Sequence, residues 1–248
     1  METGRVIGAP VTAARFKAVV DAVMAAATAR RAGYVCIANV HMVTTARRQP
    51  DLRAAMERAM IVTSDGQPLV WALRRQGLAA ERVAGPDLMP ALCARAAAEG
   101  VPIYLYGGVA PVLDTLAERL TRRYPGLIIA GREAPPMLPP RPPRDDAAIE
   151  RIRRSGAGLV FVGLGCPKQE FWMAAQSDGV PAVLLGVGAA FDFLAGNQRR
   201  APAWMRAAGL EWLFRLAAEP RRLWRRYLVT NSLFLWYRAV EALGGRRG

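Results

Sequence analysis

The chain has 248 residues, 52% of them hydrophobic, and a formal net charge of +14. That apolar content supports a sizeable core and excludes disorder over most of the length. Cys36, Cys93 and Cys166 are scattered, with no Cys-x-x-Cys pair, and His41 is the only histidine, which argues against a disulfide framework and a structural zinc site.

Residues 1–10 lack the basic start and apolar run of a signal peptide. No stretch of 18 or more apolar residues marks a spanning helix. Short apolar runs at 34–38, 60–63, 102–106, 127–130, 159–162 and 182–185 predict buried strands. Helical patterns at 12–31, 51–59, 68–76, 86–99, 111–124, 145–154 and 167–176 lie between or beside them. Strands apolar on both faces, separated by helices, predict a Rossmann-like α/β fold with a mostly parallel sheet covered on both sides. Pro68, Pro86, Pro111 and Pro167 sit at or near helix starts, where a missing N–H costs little. The proline-rich segment 134–144 fits neither helix nor sheet and reads as a connector or an active-site loop.

After Gly196 the pattern changes to consecutive helices at 201–207, 210–218 and 221–243. We therefore divide the chain into a catalytic α/β domain, 1–196, and a basic, aromatic helical appendage, 197–248. From Gln198 onward eleven arginines face three glutamates, a net of +8. A basic segment serves nucleic acid, anionic lipid or an anionic substrate.

Parallel α/β sheets bind ligands beyond the carboxyl ends of their strands. Three glycine-rich turns fall there: Gly107-Gly108, Gly163-Leu164-Gly165 and Gly186-Val187-Gly188. Each fits ordinary turn geometry or a backbone cradle for nucleotide phosphates. Neither a complete G-x-G-x-x-G nor a P-loop is present. Asp65, in Ser64-Asp65-Gly66, follows a predicted strand beside Asn39. It reads as a general base or as a turn and capping aspartate. His41 reads as a base, a ligand or a helix-start residue. No D-x-D triplet marks a sugar-transferase metal site.

Further motifs bear on function. They are 162–170 (VGLGCPKQE), 186–192 (GVGAAFD), Gly196, Arg200-Ala201-Pro202, 209–215 (GLEWLFR) and Glu219-Pro220-Arg221. Upstream stand Ser64-Asp65-Gly66, 81–85 (ERVAG), Tyr106-Gly107-Gly108 and Tyr124-Pro125-Gly126. In this order, over about residues 38–226, the chain resembles the WecG/TagA/CpsF glycosyltransferases. The resemblance implies an inverting, metal-independent transfer of a hexose or N-acetylhexosamine, such as N-acetylmannosamine, from a UDP-sugar to a polyprenyl-diphosphate-linked sugar. It implies a role in cell-surface polysaccharide assembly, no cofactor, and a peripheral place at the cytoplasmic face of the plasma membrane. Asp65 is then the expected base, with Asn39 nearby. Donor binding is expected at Arg82, Gly107, Gly108, Gly163, Gly165, Pro167, Gln169, Glu170, Gly188 and Asp192. Arg200 and Arg215 are expected to help hold the departing diphosphate. Together with Arg221, Arg222 and Arg225 they are expected to meet the acceptor diphosphate and the anionic membrane. Two departures stand out: Ile37 occupies a position where the family often has Thr, and the proline-rich segment replaces a glycine-aromatic one.

Other readings follow from the same residues. One is a glucosyltransferase of exopolysaccharide assembly, another a different nucleotide-binding enzyme on this fold. Nucleic-acid binding is disfavoured, because the basic residues lie on a terminal amphipathic helix. A homo-oligomer is left open.

Overall fold

The computed structural model describes residues 1–244, with the side chains of Ala207, Arg222, Arg226 and Ala242 outside that description. Six strands form one parallel sheet: β3 (Gly33–Ala38), β4 (Ile61–Ser64), β5 (Ile103–Gly107), β6 (Ile129–Glu133), β7 (Leu159–Gly163) and β8 (Val183–Gly186). Their order is β4-β3-β8-β7-β5-β6. All six coincide with the predicted runs to within a few residues.

Alternation along the strands explains the cover on both faces. Tyr34, Cys36 and Ala38 of β3 enter one apolar cluster, and Val35 and Ile37 enter the other. In β7, Val160 and Val162 enter the first cluster, and Leu159 and Phe161 the second. The second face is closed by α1 (Phe16–Thr28), α5 (Gly85–Glu99) and α6 (Ala110–Arg123). The first is closed by α2 (Val40–Arg48), α3 (Pro50–Arg58), α4 (Gln67–Arg74), α7 (Asp146–Ser155) and α8 (Lys168–Gln176). On that face Trp172 stacks on Tyr106, with ring centroids 4.1 Å apart.

Three elements depart from the sequence reading. The helix expected from residue 12 begins only at Phe16, because residues before it form an antiparallel hairpin, β1 (Glu2–Val6) and β2 (Ala9–Ala13). Its two-residue turn holds Ile7 and Gly8 at φ 46° and 83°, the sense that matches strand twist. Val6, Ile7 and Val11 are fully buried. The hairpin covers the open edge of β4, where the Val62 N–H donates to Thr12 Oγ1 at 3.0 Å. Helices α2 and α9 (Ala190–Ala195) were not read from the sequence.

Residues 134–144 form neither helix nor strand. Lys168 Nζ donates to the Leu138 carbonyl at 2.7 Å, and Gln176 Nε2 donates to that of Pro143 at 2.9 Å. Beyond α9 the chain is helical: α10 (Ala203–Ala207), α11 (Glu211–Ala218) and α12 (Pro220–Gly244). Helix α12 lies against α2, with Phe234 in the first cluster and Arg47 over the Tyr237 ring. Among the described residues no helix is long and apolar enough to cross a membrane.

Candidate active site

Strand register brings the chemistry together. Ala38 pairs with Ser64, Cys36 with Gly186, and Val162 with Gly186. The residues just beyond these pairs, Asn39, Asp65, Gly163 and Val187, therefore meet along one sheet edge. There they line a cavity of about 1150 Å³. That exceeds the usual span of single-ligand pockets, roughly 300–1,000 Å³, and leaves room for two substrates.

Helices α2, α4 and α8 all begin at this edge, after Asn39, Gly66 and Pro167. Their N-terminal N–H groups and dipoles favour an anion. Asn39 Oδ1 accepts from the Met42 N–H at 3.1 Å, so this side chain fixes the start of α2 while lining the cavity. Helices α11 and α12 supply the opposite wall through Glu211, Trp212, Arg215, Tyr227 and Phe234.

Asp65 follows β4, and its N–H donates to the Ala38 carbonyl at 2.7 Å. Its side chain is about 25% exposed. Burial pushes the carboxyl up to about 6, against the opposing pull of the Arg82 guanidinium. Arg82 Nη2 stands 3.6 Å from Asp65 Oδ1, outside hydrogen-bond range. Arg82 instead bonds Glu211 at 2.5 Å and Asp87 at 3.2 Å. Burial also raises Asp87, but hydrogen bonds from Arg200 together with the charges of Arg200, Arg82 and Arg206 outweigh it and hold this carboxyl below its ordinary value.

Nine of the expected site residues line the cavity: Asn39, Asp65, Arg82, Gly163, Gly165, Gln169, Gly188, Asp192 and Arg215. Gln169 braces two of the glycine turns. Its Oε1 accepts from the Gly165 N–H at 3.2 Å, and its Nε2 donates to the Gly186 carbonyl at 3.0 Å. Arg215 lies over the Phe193 ring at 5.6 Å.

The remaining expected residues lie elsewhere. Gly107 is a packing glycine, since a Cβ there would stand 2.8 Å from the Gly163 carbonyl carbon, and Gly108 is an exposed turn glycine at φ 72°. Pro167 precedes α8 as its N-cap, off the cavity wall. Glu170 is fully buried behind Gln169, which donates to its Oε1 at 2.8 Å. Burial pushes Glu170 up to about 7. Arg200 is held by both oxygens of Asp87, at 2.7 and 2.6 Å. Arg221 and Arg225 are exposed on α12, and the Arg222 side chain lies outside the described residues.

Sequence reasoning missed Asp87, Arg206 and Glu211. Glu211 stood in the quoted GLEWLFR motif, yet nothing local tied it to Arg82. Among the described residues no group of three His, Cys, Asp or Glu side chains is arranged to hold a metal ion.

A carboxylate with raised basicity, set in a two-substrate cavity walled by helix N-termini and arginines, suits group transfer from a phosphorylated donor. Comparison with known families agrees. The sequence is matched over residues 4–248 by the glycosyl transferase WecG/TagA/CpsF family. That span is nearly the whole chain, and the chain belongs to this family of glycosyltransferases.

Proposed function

We propose that the enzyme transfers a hexose or N-acetylhexosamine from a UDP-sugar to a polyprenyl-diphosphate-linked sugar, by one inverting displacement without a metal. The observation that carries this reading is the Asp65 carboxyl, raised to about 6 and facing a cavity rimmed by N–H dipoles. In the displacement, Asp65 takes the proton of the acceptor hydroxyl as its oxygen bonds the anomeric carbon. The bond from that carbon to the diphosphate breaks, and UDP leaves with the electron pair. The N-termini of α4 and α8 and the guanidinium of Arg215 offset the charge that develops on the leaving group. One well-placed donor in such a position is worth roughly 3–4 kcal/mol.

The acceptor diphosphate is assigned to the start of α12, where Arg221 and Arg225 are exposed. The exposed apolar side chains of α10 to α12 support a seat at the inner face of the plasma membrane, in cell-surface polysaccharide assembly. The first 196 residues carry the base and the glycine turns, and the helices after them close the other wall of the cavity and carry the membrane-facing surface.

Asp65→Asn is expected to cut transfer by about 10²–10⁴-fold, the usual worth of a general base, with UDP affinity near normal. The rate of the parent enzyme should fall as pH drops through about 6, where Asp65 becomes protonated. A release assay over a panel of UDP-sugars with a short-chain lipid-diphosphate sugar measures both. Wild-type turnover by Asp65→Asn would remove the assignment.

A further inference from the structure

Three cations and three carboxylates meet between the entry of α5 and helix α11. They share their partners unequally. Arg82 gives Nη2 to Glu211 at 2.5 Å and Nη1 to Asp87 at 3.2 Å. Arg200 grips both oxygens of Asp87 and places Nε 3.5 Å from Glu211. Arg206 reaches Asp87 at 3.4 Å. Asp65 alone has no hydrogen-bonded cation, and its nearest approach is the 3.6 Å gap to Arg82 Nη2. That same Nη2 is the atom committed to Glu211.

We infer that Glu211 is a positioning residue: it draws the Arg82 guanidinium away from Asp65 and leaves the carboxylate open to the incoming hydroxyl proton. This rests on the reading of Asp65 as the base. The physical case is one of competition. A charge-assisted hydrogen bond from guanidinium to carboxylate is about twice as strong as a neutral one. It would occupy the lone pair that must take the proton. An adjacent guanidinium also lowers a carboxylic acid by about one to three pH units, which makes a weaker base. Glu211 has the side-chain exposure of Arg82, 17%, so water does not relieve the competition. With Glu211 present, Nη2 is satisfied at the shorter contact. Without it, Nη2 loses that partner while Asp65 Oδ1 stands 3.6 Å away.

The charged groups that act on Asp65 come from three places. Arg82 lies before α5 and Asp87 within it, while Glu211 and Arg215 come from α11. Of these, Glu211 and Asp87 raise Asp65, and Arg82 and Arg215 lower it. Asp192, Arg74, Arg75, His41 and Arg238 line the same cavity. Asp87 already serves Arg200 twice and Arg82 through Nη1, so Glu211 is the carboxylate whose loss releases Nη2. The α11 side chain thus sets the proton affinity of a group that the β4 strand positions.

The test uses the full-length enzyme with Glu211→Gln, which keeps shape and one acceptor oxygen but drops the charge. The acid limb of kcat/KM should move down by about one pH unit, and the plateau should fall about tenfold. Glu211→Asp should restore most of the limb's position. Arg82→Gln should move Asp65 the other way. Infrared titration of Asp65, read as the difference from Asp65→Asn, reports the same shifts without substrate. A uniform loss of rate at every pH, with the limb and the infrared inflection unmoved, would reduce Glu211 to a structural tie and overturn the inference. Turnover by Asp65→Asn would overturn the reading of Asp65 as base, and this inference with it. An unmoved limb in Glu211→Gln with an inactive Asp65→Asn would overturn the inference alone.

Discussion

The sheet region and the helices after Gly196 treat their apolar side chains differently. In β7 the residues Leu159, Val160, Phe161 and Val162 are all at 0% exposure. In α11 no described residue is buried, and on α12 Leu228, Leu235, Trp236 and Leu243 are each more than 60% exposed. Up to Gly196 the chain buries nearly all of its own core, with Phe234 of α12 as a later addition to the first cluster. Beyond Gly196, among the described residues, ten large hydrophobic side chains face outward, from Trp204 to Leu243. Apolar surface returned to a nonpolar phase gains roughly 25 cal/mol per Å². The first region has already taken that gain in folding, and the second still holds it available for another surface.

The largest expected effect separates the two regions directly. Phe161→Ala empties a site closed on both faces and should cost about 3–5 kcal/mol of unfolding free energy. Trp236→Ala removes a ring that already meets solvent and should stay within about 0.5 kcal/mol. Urea unfolding of the two variants measures both. Equal losses would break the comparison, since they would show that the Trp236 ring supports the fold.

A smaller effect lies inside the first region. Glu170 is an acid in a core that otherwise excludes charge, and its carboxyl rises from an ordinary 4.5 to about 7. Between those values the folded protein holds a proton that the unfolded chain has lost. Stability therefore falls as pH rises from about 4.5 to about 7, then levels off. Glu170→Gln stays neutral throughout and should flatten that slope, with a gain of a few kcal/mol over the parent at high pH. Melting temperatures between pH 5 and 8 provide the check. A slope that survives the substitution would assign it to other groups.

The sheet was legible because its strands are short, continuous apolar runs, and a strand buried on both faces needs little else to declare itself. The neighbourhood of Asn39 and Asp65 was legible for the same reason: each follows such a run. Helix α2 was harder to read. Thr44 and Thr45 speak against helix, and the Asn39 cap with the burial of Met42, Val43 and Ala46 overrides them. The N-terminal hairpin was hidden because its turn puts β-branched Ile7 at positive φ, where such a residue is seldom found. Gly107 was expected at the donor, with turn geometry as the other reading, and the structure shows a glycine that the geometry requires. What requires it is the backbone of Gly163, since it lies away from the cavity. The ion pair of Arg82 with Glu211 spans 129 residues. No local pattern links positions so far apart.

The smallest expected effect sharpens the contrast at its outer surface. Leu228 and Trp236 are exposed on α12 and lie outside the cavity wall, whereas Tyr227, Thr230, Asn231 and Phe234 on the same helix line it. One helix thus serves the site with one face and offers apolar surface with another. If that surface enters the headgroup layer, Leu228→Glu combined with Trp236→Glu should weaken binding to anionic vesicles at least tenfold, or about 1.4 kcal/mol. Transfer to a short-chain, water-soluble acceptor should stay at the parent rate, because neither side chain touches the cavity. Raised salt should weaken the parent further, since each basic residue near an anionic surface adds about 1 kcal/mol that ions screen. Co-sedimentation with vesicles reads the binding. Unchanged binding by the double variant would mean that charge alone holds the enzyme to the surface, and that the outward apolar residues of α12 serve something other than lipid.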